Sequence, residues 1–165
     1  MDFFDVINNR ASVRDYRDRV VERAVLKKLV DAGRRAPTAR AVEPWEFVVV
    51  TQRQALTKLS ELLSPNGAFI AQAGAAIVVF SRDTKYYLED GCAATENILL
   101  AAAAHGLGAC WIAGDKKPYA QTVCAEFNAP AGMKLVSIVS LGWPKPAAAQ
   151  KKNRSLEDVV HWEQF

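Results

Sequence analysis

Apolar residues repeat along the chain at two spacings, and the switches between them predict its elements. Phe3, Val6 and Ile7, followed by Arg10, fall on one helical face with Asp2 as the N-cap. Leu26, Leu29, Val30 and Gly33 repeat the i, i+3, i+4, i+7 pattern of a second helix, which Pro37 must stop. The stretch APTARAVEP then reads as a loop. WEFVVVT, from Trp45 to Thr51, reads as a buried strand, and a helix carrying Leu56, Leu59 and Leu63 leads to a turn at SPNG. AAIVVFS supplies a second strand, ACWIA a third and KLVSIVSLG a fourth, with a helix around Tyr119 to Phe127 between the last two. A long helix runs from Lys85 to His105; its second half, ILLAAAAHG, is apolar on nearly every side and stops at Gly106. Such a helix must be covered all round, and a subunit interface or an intramolecular core would each do so. Ser155 with Asp158 makes a capping-box pattern that predicts one last short helix.

Strands alternating with helices suggest, by order alone, a doubly wound parallel sheet. Two features argue against it: the first strand starts only near residue 45, after two helices, and no glycine-rich loop joins it to the next helix. GLGACW looks like half a dinucleotide fingerprint, but it follows a helix rather than a strand and has Trp111 where the third glycine should stand. A Rossmann site is therefore rejected.

Composition narrows the classes without choosing among them. The 165 residues fit one domain, and 50% hydrophobic with 24% charged residues is ordinary for a globular protein. A net charge of +3 is too slight to argue a nucleic-acid partner, and no stretch approaches the roughly 18 apolar residues of a membrane span. Cys92, Cys110 and Cys124 form no CxxC pair, so buried thiols in a reducing compartment explain them, and the cytoplasm is expected. There is no GxSxG, no HExxH and no metal-ligand spacing, and the two histidines, His105 and His161, lie far apart. Glu89, Asp90 and Glu96 read as helix-surface acids that face solvent or cap a neighbour.

One polar stripe stands out. Arg10, Ser12 and Arg14 occupy every second position of NNRASVRDY and share a face if the segment is extended. Two guanidiniums and a hydroxyl could grip a phosphate; a solvated basic loop explains the same residues, and the stretch alone leaves both open.

NRASVRDY, APTARAVEPWEFVVV, GLGACWIAG and the tail KKNRSLEDVVHW stand in the order and at about the spacing of the nitroreductase family of FMN-dependent NAD(P)H oxidoreductases. The chain resembles a short, single-domain member of that family over nearly its whole length. The resemblance implies an α+β fold, a central, mostly antiparallel sheet flanked by helices, which sets the parallel sheet aside. It further implies an intertwined homodimer in which 143–165 is an extended C-terminal tail reaching the partner. Noncovalent FMN would lie in the interface. Arg10, Ala11, Ser12 and Arg14, with Lys152 and Arg154 from the tail, would hold its phosphate and ribityl chain. Pro37, Thr38, Ala39 and Glu43 would come from the other subunit, and Trp111, Ile112, Ala113 and Gly114 would line the flavin, with an N–H near Ala113 and Gly114 at its N5 edge. NAD(P)H is the implied hydride donor and a nitroaromatic, quinone or similar small molecule the acceptor, by a ping-pong mechanism needing no catalytic side chain. Where the family often has asparagine and glutamine before Pro-Trp, this chain has Ala41 and Glu43. The competing readings are a protein that stores FMN or relays electrons, and a dimeric module that has lost the cofactor.

Overall fold

The computed structural model describes residues 2–146 and 153–165. Its centre is a four-stranded sheet in the order β1-β2-β4-β3, where β1 is Trp45–Val50, β2 Ala75–Arg82, β3 Gly108–Ala113 and β4 Met133–Gly142. Every neighbouring pair is antiparallel. Side chains on successive residues of a strand point to opposite faces, and each face is covered by its own helices. Ala75, Ile77 and Val79 of β2 pack with Leu26 and Leu29 of α2 (Arg23–Gly33) and with Ile98, Leu99 and Ala102 of α4 (Tyr87–Ala104). Ala76, Val78 and Phe80 pack on the other face with Leu56 and Leu59 of α3 (Arg53–Leu62) and Val123 of α5 (Ala120–Glu126).

The antiparallel sheet that the family resemblance implies is the one that forms; the parallel order suggested by alternating elements alone does not, because hydrophobic periodicity reports which residues are buried and not which way a strand runs. Only α4 makes a parallel crossover. It joins β2 to β3, which run in the same direction with β4 inserted between them as the antiparallel partner of both.

Two helices show how the local pattern was read. α1 (Phe3–Asn9) starts where expected: Asp2 and Asp5 form a reciprocal capping box, and Arg10 closes the helix. The short helix expected after Ser155 does not form. Its capping hydrogen bonds do, from Ser155 N–H to Asp158 Oδ2 at 2.9 Å and from Asp158 N–H to Ser155 Oγ at 3.3 Å, but only turns follow. All of 153–165 is exposed, so no packing offsets the cost of nucleating a helix.

Burial along α4 follows the helical period even though the sequence carries no clear apolar stripe. Gly91, Ala94, Thr95, Ile98, Leu99 and Ala102 are buried, whereas Leu100, Ala101 and Ala103 are only half covered. The helix can lie so close to the sheet because Gly91 has no side chain: a Cβ there would stand 2.6 and 2.7 Å from the two Cγ atoms of Val136. Val136 is β-branched and set at a register shift of β4, so it cannot swing aside. Gly91→Ala should therefore lower the unfolding free energy by about 1–3 kcal/mol in urea denaturation despite alanine's better helix propensity. The double variant Gly91→Ala/Val136→Ala should recover part of that loss, and a neutral Gly91→Ala would contradict this packing.

Candidate functional site

The stripe at residues 10–16 is docked along the outer edge of β3. Gly108 and Gly142 are cross-strand partners, and their missing side chains make the seat. A Cβ on Gly108 would meet Val13 Cγ1 at 2.7 Å, and one on Gly142 would meet Tyr16 Cδ1 at 2.7 Å. Glycine in GLGACW therefore serves the approach of this segment, not a dinucleotide. Ser12 bridges Ala109, the Val13 N–H donates to the Ala109 carbonyl at 2.9 Å, and Tyr16 bridges Pro144. The buried Tyr16 hydroxyl donates to the Val13 carbonyl at 2.6 Å and lies 2.7 Å from Ser140 Oγ; burial pushes this phenol far up. With its own proton on Val13, the Tyr16 oxygen accepts from the Ser140 hydroxyl, and that bond ties the segment to β4.

The docked segment spans the edge rather than presenting one flat face, because it makes isolated bridges and not a regular strand. Arg14 lies on the α3 and α5 side, its guanidinium 5.7 Å from the centre of the Phe69 ring. Arg10 lies on the α4 side, where its Nε is 3.9 Å from a Glu96 carboxylate oxygen. With Ala11 it lines a smaller recess beside Leu99 and Ala103.

Arg14 opens onto a cleft of about 690 Å³, within the range of small-molecule sites. Its apolar walls include Leu62, Phe69 and Ile112, and Ser64, Asn66, Lys117 and Tyr119 bring the polar groups. Cys110 also faces it; burial pushes its thiol up and Arg14 only partly opposes this, so it is a neutral wall rather than a nucleophile. The edge of β3 supplies backbone donors. Ladder hydrogen bonds alternate along an antiparallel strand. The Ala109 carbonyl is turned outward to Val13, and the Ala113 carbonyl is turned outward to accept from the Tyr119 hydroxyl. Trp111 shares their parity, so the N–H groups of Trp111 and Ala113 point away from β4 along this edge. The Trp111 side chain packs against the α4 core.

Gly114 has the opposite parity. Its N–H donates to the Val136 carbonyl at 3.0 Å, and its missing Cβ is required by Leu135 Cγ at 2.5 Å, so its glycine character serves β4. Of the two residues expected at an N5 edge, Ala113 is the one whose N–H faces outward. The loop behind them is fixed by Tyr87, whose hydroxyl donates to Asp115 Oδ1 at 2.6 Å; that carboxylate, with burial second, pushes the phenol up to about 12.

Pro37, Thr38, Ala39 and Glu43 do not line this cleft. They sit at the N-terminal end of α4, where Thr38 and Ala39 bond the Asp90 carboxylate and the Glu43 side chain is exposed. Of the two roles expected for Asp90, facing solvent or capping a neighbour, the second holds: it is buried and bonded to the neighbouring loop. Arg154 lies in the tail, donating to the Asp158 carbonyl and lining a surface recess with Asn8, two residues before Arg10. Lys152 lies outside the described residues. Sequence reading missed Asn66, Phe69, Lys117 and Tyr119, which come from separate loops and carry no local motif.

The comparisons with known proteins extend over the whole chain. The family model described as "Putative TM nitroreductase" matches residues 2–165. A protein of Archaeoglobus fulgidus described as "Putative NADH dehydrogenase/NAD(P)H nitroreductase" is 37% identical over 169 residues, spanning 97% of each chain. A crystal structure of a protein from Parabacteroides distasonis with the same description superposes with a TM-score of 0.92 at 34% identity, covering 99% of this chain and 98% of that one. An "FMN-dependent Nitroreductase" from Clostridium difficile also superposes at 0.92, with 28% identity and coverage of 98% and 99%. With fold, length and sequence in register from end to end, the chain belongs to the nitroreductase family, a family of oxidoreductases.

Proposed function

We propose that this oxidoreductase is an FMN-dependent enzyme that takes a hydride from NAD(P)H and reduces a small acceptor such as a nitroaromatic or quinone by a ping-pong mechanism. The observation that carries the reading is the edge of β3. There a cation, an amide side chain and two outward backbone N–H groups meet apolar walls, a donor set suited to a planar, electron-rich heterocycle. FMN, when bound, supplies the chemistry by accepting a hydride equivalent and passing it on.

The chain's residues then bind and orient. Arg10, Ala11 and Ser12 hold the phosphate end, with Lys152 and Arg154 from the tail; the doubly charged group suits several cationic donors. Arg14, expected with them at the phosphate and ribityl chain, opens instead onto the cleft beside Phe69 and would there face the polar edge of the ring with Asn66, while Ile112 and Phe69 would meet its apolar face. The Ala113 N–H, beside Trp111 and Gly114, stands where charge develops at the flavin edge. Pro37, Thr38, Ala39 and Glu43 would reach the cleft from a second protomer, since in one protomer they lie apart from it.

A homodimer is further supported by exposed apolar side chains on α1 and the tail, among them Phe3, Phe4, Leu156 and Trp162, and by the half-covered side of α4. Residues 143–165 are read as the tail that reaches the partner, within one domain spanning 1–165. Three free cysteines suit a reducing compartment, and the enzyme is placed in the cytoplasm. No helix among the described residues is long and apolar enough to cross a membrane.

FMN should bind at least about tenfold more tightly than riboflavin, because each charge-assisted phosphate contact contributes about 1.5–3 kcal/mol. Fluorescence titration measures both, and equal affinities would remove the phosphate assignment. Steady NAD(P)H consumption with a quinone or nitro acceptor is expected; protein that keeps FMN yet consumes none is the storage or relay protein.

Arg10→Ala should weaken FMN binding by about tenfold or more while sedimentation still shows the dimer. Wild-type affinity in that variant would remove Arg10 from the phosphate site.

Truncation before Ser155 should loosen the dimer and FMN retention together. A truncated protein that stays dimeric and yellow would contradict the role given to the tail.

A further inference from the structure

We propose that Asp90 is a positioning residue: it holds the 37–44 loop in the one conformation that can close over the flavin site of a second protomer. The inference rests on the FMN reading above, which gives that loop its place.

Asp90 stands in the first turn of α4 with 5% of its surface exposed. A buried carboxylate is tolerated only when its oxygens are bonded, and here the loop supplies both partners. The Ala39 N–H donates to Oδ1 at 2.9 Å and the Thr38 hydroxyl to Oδ2 at 3.1 Å. Because the hydroxyl proton is spent on Asp90, Thr38 Oγ1 offers a lone pair on its other side, and the Glu43 N–H donates to it at 3.2 Å. One carboxylate thereby closes the loop across itself, from residue 38 to residue 43.

The enclosed backbone is strained. Arg40, Ala41 and Glu43 have φ of 57°, 52° and 47°, left-handed values that non-glycine residues rarely adopt. Such outliers persist only where the surroundings over-determine them, and they concentrate where a loop serves a ligand. A second clamp acts from the end of β2: Arg82 Nη2 donates to the carbonyls of Val42 at 2.9 Å and Glu43 at 3.2 Å, and its N–H to that of Pro44 at 2.9 Å. Ala36 and Trp45, which bracket the loop, both pack against Ala94, one turn beyond Asp90 on the same face of α4. A loop pinned at its ends and across its middle nevertheless leaves Arg40, Ala41, Val42 and Glu43 exposed. The strain therefore shapes a surface offered outward.

Asp90→Asn keeps the volume and tests the carboxylate. An amide can accept from Ala39 with its oxygen, but its NH2 must then face Thr38, so the Thr38 hydroxyl proton loses its carboxylate acceptor and both charge-assisted bonds to the loop are lost. In the apoprotein, amide exchange at Ala39–Glu43 should quicken by about tenfold while β2 and the rest of α4 are unchanged. With FMN, the dissociation constant should rise about tenfold and the visible circular dichroism of the bound flavin should change. Thr38→Val, which removes the hydroxyl without touching Asp90, should act in the same direction, and Thr38→Ser should restore wild-type behaviour. Thr38→Val also stands in if Asp90→Asn does not fold. Variants that exchange faster in the loop but bind FMN with wild-type affinity and dichroism would show that Asp90 holds the loop without serving the flavin site, overturning the inference while leaving the FMN reading intact. A wild-type protein that binds no FMN would overturn both.

Discussion

The candidate site depends on one close approach: Val13 and Tyr16 resting on the facing glycines of β3 and β4. Any side chain at Gly108 or Gly142 would lift the 10–16 segment off the sheet by the width of a methyl group, and the interior has no slack to absorb it. With the segment seated, Arg14 hangs over the cleft, Arg10 reaches the α4 side, and the outer edge of β3 is partly covered. That edge would otherwise expose a run of unpaired backbone groups. Only the stretch beyond Ala109 stays open, and there the Trp111 and Ala113 amides face the cleft.

The second constraint is α4. One helix fills the inner face of the sheet through Gly91 and Ile98, fixes the loop after β3 through Tyr87 and fixes the 37–44 loop through Asp90. Two loops that carry proposed flavin contacts are therefore referenced to the same rigid element. A small tilt of the helix would move both, which couples core packing to the geometry of the site.

Much of this was legible from residue order. Strands and helices lay where the periodicities put them, because burial on one face imposes a repeat of two or 3.6 whatever the fold. The capping box at Asp2 and Asp5 was equally local. The stripe at Arg10, Ser12 and Arg14 was visible, as was the family pattern that gave it a purpose. The helix at Ser155 failed for a complementary reason: its cap is a local feature, but a short helix needs a surface to pack on, and the chain alone provides none there.

By itself, then, the sequence determined the elements, the family and the segments from which a site would be drawn. The family pattern already implied antiparallel strands, but tertiary structure alone decided their order, β1-β2-β4-β3, which depends on connections that hydrophobic patterning does not record. It alone separated Ala113 from Gly114, since hydrogen-bond parity exists only once β3 has a partner. It also decided between the two roles open to Asp90, facing solvent or capping a neighbour, because the donors it bonds, at Thr38 and Ala39, lie some fifty residues away and meet it only when the loop is laid against the helix.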